Sequence, residues 1–120
     1  MDVWTKDCMV MYKSIYSPGK IVITTDHIRV NLEKRKHFGL VYDGFEEIQR
    51  VGLEDITEIT IVGIPFLNKH IKIITREEEI ELNFNQNLNI ILKEILSNIK
   101  LAKDIEKRRK YSIKSVLKNM

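Results

Sequence analysis

The first two-thirds of the chain alternate apolar and polar residues with a period of two. In "GKIVITTDHIRVNL", Ile21 and Ile23 fall on one side and Val22 and Thr24 on the other; past "TDH", Ile28, Val30 and Leu32 alternate with Arg29, Asn31 and Glu33. This pattern predicts an antiparallel hairpin, apolar inside and polar outside, entered through Pro18-Gly19 and turning at Asp26. Met9 to Tyr12 predicts a preceding strand, with "KSIYSPG" as its loop. Downstream, "LEKRKHFG" predicts a polar, basic connection, Phe38 to Tyr42 a short strand, and Asp43-Gly44 a turn. "EEIQRV" reads as a further strand before Gly52, and "TEITIVG" sets Ile59 and Ile61 inward against Glu58 and Thr60. The clearest hairpin is "HIKIITREEEIELNF". Ile71 and Ile73 oppose Lys72 on one arm, Ile80, Leu82 and Phe84 oppose Glu79 and Glu81 on the other, and the turn falls near Arg76-Glu77-Glu78. Lysine facing glutamate across such a hairpin contributes about 0.2–1 kcal/mol per pair.

At Asn87 the period changes. Leu88, Ile91, Leu92, Ile95, Leu96, Ile99 and Ala102 recur at helical spacing with no glycine or proline among them, and "NQN" supplies side-chain acceptors for the helix start. Around Lys103 the stripe gives way to charge on all sides, "KDIEKRRK", which predicts that the helix leaves the body there. Residues 1–102 thus read as one domain and residues 103–120 as a basic helical extension, in which Ile113, Val116 and Leu117 suffice for a short amphipathic turn.

About seven short antiparallel strands followed by one amphipathic helix predict a mainly β, α+β fold. The bent sheet curls into a partly open barrel, and the helix caps one end so that both apolar faces are buried together. "GKIVITTDHIRV", "VGLEDITEI", "IKIITREEEIELNF" and the helix from Leu88 to Ala102 together resemble the pleckstrin-homology-like (PH-like) superfold, in particular GRAM and small prokaryotic PH-like modules. The resemblance spans residues 8 to 102 and rests on element order. It implies that "LEDI" turns Leu53 and Ile56 inward and leaves Glu54 and Asp55 wet. Phosphoinositide-binding members carry a basic motif between their first two strands, whereas "KSIYSPG" has few cations, so no inositol-phosphate residues are carried over.

Composition adds an asymmetry. The chain carries +3, but the eight basic residues from Lys100 onward face Asp104 and Glu106 alone, so that segment carries +6 and residues 1–99 carry −3. A mildly acidic body with a basic tail is a different object from a uniformly basic nucleic-acid binder. No apolar run has bilayer length, and no basic start precedes an apolar stretch, which predicts a cytoplasmic chain without anchor or signal peptide. The single Cys8 reads as a small buried hydrophobe.

Candidate chemistry is sparse. His27, His37 and His70 have no metal-ligand spacing and read as turn or surface residues; the glycines punctuate strands and cradle no phosphate. The sequence therefore predicts no enzyme activity, no metal and no cofactor. On the helix, Ile90, Leu101 and Ile105 project opposite the core stripe, either as a docking or self-association face or as positions covered by the segment around Trp4. Lys107, Arg108, Arg109 and Lys110 form either a solvated helix end or a site for an anionic partner. The expectation is a non-catalytic adaptor or scaffold acting by protein contacts in prokaryotic signalling, with self-association open. Archaeal taxis adaptors, which link signalling proteins to a motor, also resemble this PH-like pattern. Two alternatives use the tail: a peripheral binder of anionic membranes and a nucleic-acid binder. A groove beside the helix, where some members of the superfold add a peptide strand, is a third candidate surface.

Overall fold

The structure, a computed structural model, describes residues 1–64 and 67–118, with the side chains of Leu67 and of residues 112–118 outside the described set. Seven strands, β1 (Asp2–Tyr12), β2 (Ile15–Thr24), β3 (His27–Lys36), β4 (Val41–Gly52), β5 (Ile56–Ile64), β6 (Leu67–Thr75) and β7 (Glu79–Asn83), precede one helix, α1 (Leu88–Lys118). The strands form a single antiparallel sheet in the order β4-β3-β2-β1-β7-β6-β5. The fold is mainly β with a C-terminal helix, as the alternation predicts.

The sheet curls because its inner face has a helix to enclose. Ile21, Ile23, Ile28, Val30, Ile71, Ile73, Ile80 and Leu82 turn inward and are fully buried against Ile91, Ile95, Ile99 and Ala102 of α1. The curl brings β4 over the β6–β7 corner, although these elements are far apart in strand order: Gln49 Nε2 donates to Glu78 Oε1 (2.9 Å) and to the Glu79 carbonyl (3.1 Å). At the opposite corner a single 3-10 turn, Leu53–Asp55, joins β4 to β5. Leu53 is buried, Glu54 and Asp55 are exposed, and the Leu53 N–H donates to the Asp26 carbonyl at 3.0 Å. The helix start is capped by Asn87, whose Oδ1 accepts from the Asn89 N–H at 2.9 Å.

Two hairpin turns are stapled the same way. Thr24 Oγ1 accepts from the His27 N–H (3.1 Å) and lies 3.0 Å from the His27 carbonyl, which it donates to. Thr75 Oγ1 does the same with Glu78, at 3.0 and 2.9 Å. These threonines are the buried polar residues of the described chain, and each hydroxyl pairs with backbone groups of its tight turn; at Thr75 the Glu78 carbonyl also accepts from the Thr75 N–H at 2.9 Å.

Several local expectations are corrected. The first strand begins at Asp2, not Met9, and the connection after it is two residues long, Lys13-Ser14, both with positive φ (51° and 67°) as a type I′ turn requires. Ile15–Gly19 is therefore strand. Pro18 is tolerated there because β3 pairs with β2 from Gly19 inward and leaves the stretch before it as an edge. Gly19 is needed at that junction, since a Cβ would lie 2.3 Å from the Asn31 carbonyl oxygen. Asp43-Gly44 is no turn but a bulge within β4, opposite Lys34, with Gly44 at φ +82°. The turn lies at 37–40, so Phe38 is not a strand residue. Val22 is buried although it faces outward; its cross-strand partner on β3 is Arg29, whose guanidinium donates to Asp2 on β1 at 3.0 Å across β2. Leu96, expected in the core stripe, is 47% exposed.

Candidate functional site

The basic end of α1 does not present one patch. A helix advances about 100° per residue, which spreads four consecutive cations around its circumference. Lys107 and Lys110 line an open cleft of about 830 Å³ together with Lys103 and Tyr111, whereas Arg108 and Arg109 are exposed outside it. The facing wall is acidic: Asp26 from the β2–β3 turn, and Glu54 and Asp55 from the 3-10 turn, with Leu53 between them. Asp26 accepts a 2.7 Å hydrogen bond from His27 Nδ1, and this bond first, then the Thr24 hydroxyl, holds its carboxyl below the usual range. The cleft therefore offers opposite charges on its two walls, which weakens the field any one anionic partner meets.

The proposed docking residues of the helix are also spread apart. Ile90 is 57% exposed and Leu101 48% exposed, while Ile105 is half-buried. Between Ile90 and Leu101 on the same side lies Glu94, whose carboxylate approaches Lys6 of β1 at 3.9 Å. That flank of α1 faces β1. Leu96 falls on the other flank.

The sheet edge beside the helix is open. Among the described residues β5 pairs with β6 alone and ends the sheet, and α1 packs against it. Its sequence, "ITEITIVGI", carries one charge, Glu58. Ile59 and Ile61 face the core but stay half-buried. Exposed edge strands are ordinarily blunted by lysines, prolines or inward charges. No lysine, proline or inward charge interrupts Ile56–Ile64, although Thr57 is an extra residue near its start, where Ile56 and Glu58 pair with the consecutive Thr75 and Ile74, and at the far end Gly63 (φ 112°) faces two residues of β6.

Polar side chains cluster on the outer face of β6 and β7. Lys72 pairs with Glu79 (3.0 Å) and Glu81 (3.7 Å), and the Glu79 contact chiefly raises the lysine pKa. His70 stands 3.9 Å from Glu81 and edge-on to Tyr16, with ring centroids 6.3 Å apart. Burial first, and then Glu81, raises the Tyr16 pKa. His27 and His70 are thus largely covered side chains of β3 and β6, while His37 sits in an exposed turn. Cys8 is buried, and desolvation pushes its thiol up to about 12. Among the described residues no group of three or more His, Cys, Asp or Glu could hold a metal ion, and no helix is long and apolar enough to cross a membrane.

Sequence reasoning missed the largest exposed apolar feature. Met9, Tyr12 and Ile15 on the β1–β2 hairpin, and Phe38, Leu40, Val41, Tyr42 and Phe45 on the β3–β4 hairpin, make up eight of the fourteen large hydrophobic side chains exposed among the described residues. Hidden inside a run dominated by "EKRKH", Phe38 and Leu40 read as connection and strand rather than as an apex. The signal was the two apolar residues flanking Gly39.

Compared with protein-family models and with curated proteins, the chain matches none.

Proposed function

We propose that this chain is a non-catalytic PH-like contact module, an adaptor that accepts an extended segment of a protein partner along β5 beside α1. The observation carrying this reading is the unpaired outer edge of a nine-residue, nearly uncharged strand lying next to the helix. An added strand satisfies the outward N–H and C=O groups of β5, and its alternate side chains reach the half-buried Ile59 and Ile61 on one side and Leu96 on the flank of α1 away from β1. The PH-like element order supports the same reading, since strand addition between an edge and the terminal helix is a use of that superfold. Prokaryotic signalling is the setting the resemblance suggests.

Hydrogen exchange tests it. The partner is recovered by affinity purification from the native cell, and the free and bound chains are compared amide by amide. Slowed exchange along Ile56–Ile64 together with loss of binding in Val62→Lys supports strand addition. Protection confined to other elements, with β5 amides unchanged, refutes it.

A further inference from the structure

The β1–β2 and β3–β4 hairpins are longer than the body requires. β2 and β3 pair from Ile23/Ile28 to Gly19/Leu32 and then part, while β1–β2 pairing continues to Tyr12/Ile15 and β3–β4 pairing to Lys36/Val41. Because β2 starts and β3 ends on the same side of that shared stretch, both turns point the same way. A cavity of about 640 Å³, lined in part by Pro18, Glu33, Tyr42 and Phe45, separates the arms. The β3–β4 arm is braced internally, Tyr42 packing edge-on to Phe45 at 5.9 Å and Lys36 pairing with Asp43 at 3.3 Å, and Lys20 Nζ of β2 sits 4.3 Å above the Phe45 ring and ties the two hairpins at their base.

The apices are apolar. Phe38 is 106% exposed and Leu40 82% exposed, and Ile15 stands beside the turn of the other arm. His37, Phe38 and Gly39 all have positive φ (54°, 58° and 82°), a conformation unfavourable for the first two, and it places Phe38 at the apex. Lys13 lies in one turn, and Lys34, Arg35 and Lys36 stand just behind the other against Glu33 and Asp43, so the arms from the Glu33/Phe45 level outward carry a net +2 within residues 1–99 that together carry −3. The cationic end of an otherwise acidic body thus coincides with its apolar end.

We infer that these two hairpin tips dock the protein on an anionic lipid surface, Phe38 and Leu40 entering the acyl boundary while Lys13, Lys34, Arg35 and Lys36 meet the headgroups. The form of the site selects this occupant. Protein anchors are met in packed, water-excluding contacts, whereas two separated tips with cations beside them suit a surface that deforms around each. Aromatic and aliphatic tips supply burial and the basic collar supplies attraction, the two contributions that interfacial binding needs together. This site is distinct from both β5 and the basic end of α1.

Flotation of the full chain with vesicles of equal parts phosphatidylglycerol and phosphatidylcholine tests the inference. The chain should float with these vesicles, float poorly with phosphatidylcholine alone, and be released by salt. Phe38→Asp with Leu40→Asp should weaken partitioning about tenfold or more at unchanged circular dichroism, since neither side chain supports the fold. Lys34→Ala with Lys36→Ala should weaken it severalfold on the anionic vesicles, and Lys107→Ala with Lys110→Ala should leave it unchanged. Brominated acyl chains should quench the added fluorescence of Phe38→Trp. Failure of the native chain to float, or tip substitutions without effect, overturns the proposal. Loss on the tail substitutions instead transfers binding to α1, and retention of a protein partner at the tips without flotation assigns them to protein contact.

Discussion

Truncating Ile95 tests whether α1 is part of the body or an appendage. Its side chain is fully buried at the centre of the helix's apolar stripe, beneath β-sheet isoleucines on all sides of the core. Ile95→Ala deletes three carbons at about 0.8 kcal/mol each, and the cavity left in a packed core adds about 1 kcal/mol, for a loss of roughly 3.5 kcal/mol. Small domains have about 5–15 kcal/mol in total, so the loss is large but leaves the chain folded in water. With a urea dependence of roughly 1.5 kcal/mol per molar, the unfolding midpoint should fall by about 2 M. Leu96→Ala is the internal control: one residue on, the side chain is 47% exposed, and the same experiment should show a loss of about 1 kcal/mol or less. Fluorescence of Trp4 and far-ultraviolet circular dichroism should report coincident transitions. Equal shifts for the two variants, or a helix signal that melts separately from Trp4, would refute the packing described here.

The remaining predictions concern single groups. Thr75→Val should cost about 1–3 kcal/mol in the same titration, because the Glu78 N–H and carbonyl at the β6–β7 turn lose their hydroxyl partner; full stability would refute the staple. Cys8, buried with its thiol pushed up to about 12, should resist iodoacetamide at neutral pH and label as fast as a free thiol only in denaturant. Asp26 has its carboxyl held below the usual value of 3.8, so its contribution to stability is complete above that value and disappears as pH falls through the lower folded one. Asp26→Asn should therefore flatten the acid limb of the stability profile, measured by urea titration at stepped pH, and an unchanged limb would assign it to other carboxylates.

Legibility in the sequence followed burial. Where one face of a strand is packed, as in Ile71, Ile73, Ile80 and Leu82, period-two alternation located the strands and their inward residues, and the Lys72–Glu79 pair across the hairpin. The helix stripe was legible for the same reason, except Leu96, which lies at the margin of the stripe where a hydrophobic residue can serve either side. The arms were misread because neither of their faces is packed on the core. Their turns lack the usual signature: Lys13-Ser14 adopts positive φ without Asn or Gly, while Asp43-Gly44, the expected turn pair, relieves a bulge. The open edge of β5 and the cleft facing Lys107 and Lys110 depend on how distant elements are brought together. Local periodicity carries no record of that.

The arms also show why exposure at the tips calls for a ligand rather than a structural reason. An isolated two-stranded ribbon is marginal in water, and the β3–β4 ribbon is held by pairs set back from its apex, Lys36–Asp43 and Tyr42–Phe45 within it and Lys20–Phe45 joining it to β2. Phe38 joins none of them and is fully exposed, so replacing it with a polar residue should cost the fold little. Its turn meanwhile holds two non-glycine residues at positive φ, which lowers stability rather than raising it. A residue that contributes no packing, on a turn that carries strain, beside a cationic collar, is accounted for by what binds there. The edge of β5 lies beside α1, away from these tips, so strand addition and surface docking can proceed on one molecule at once. A tip variant that loses vesicles but keeps its protein partner would separate the two.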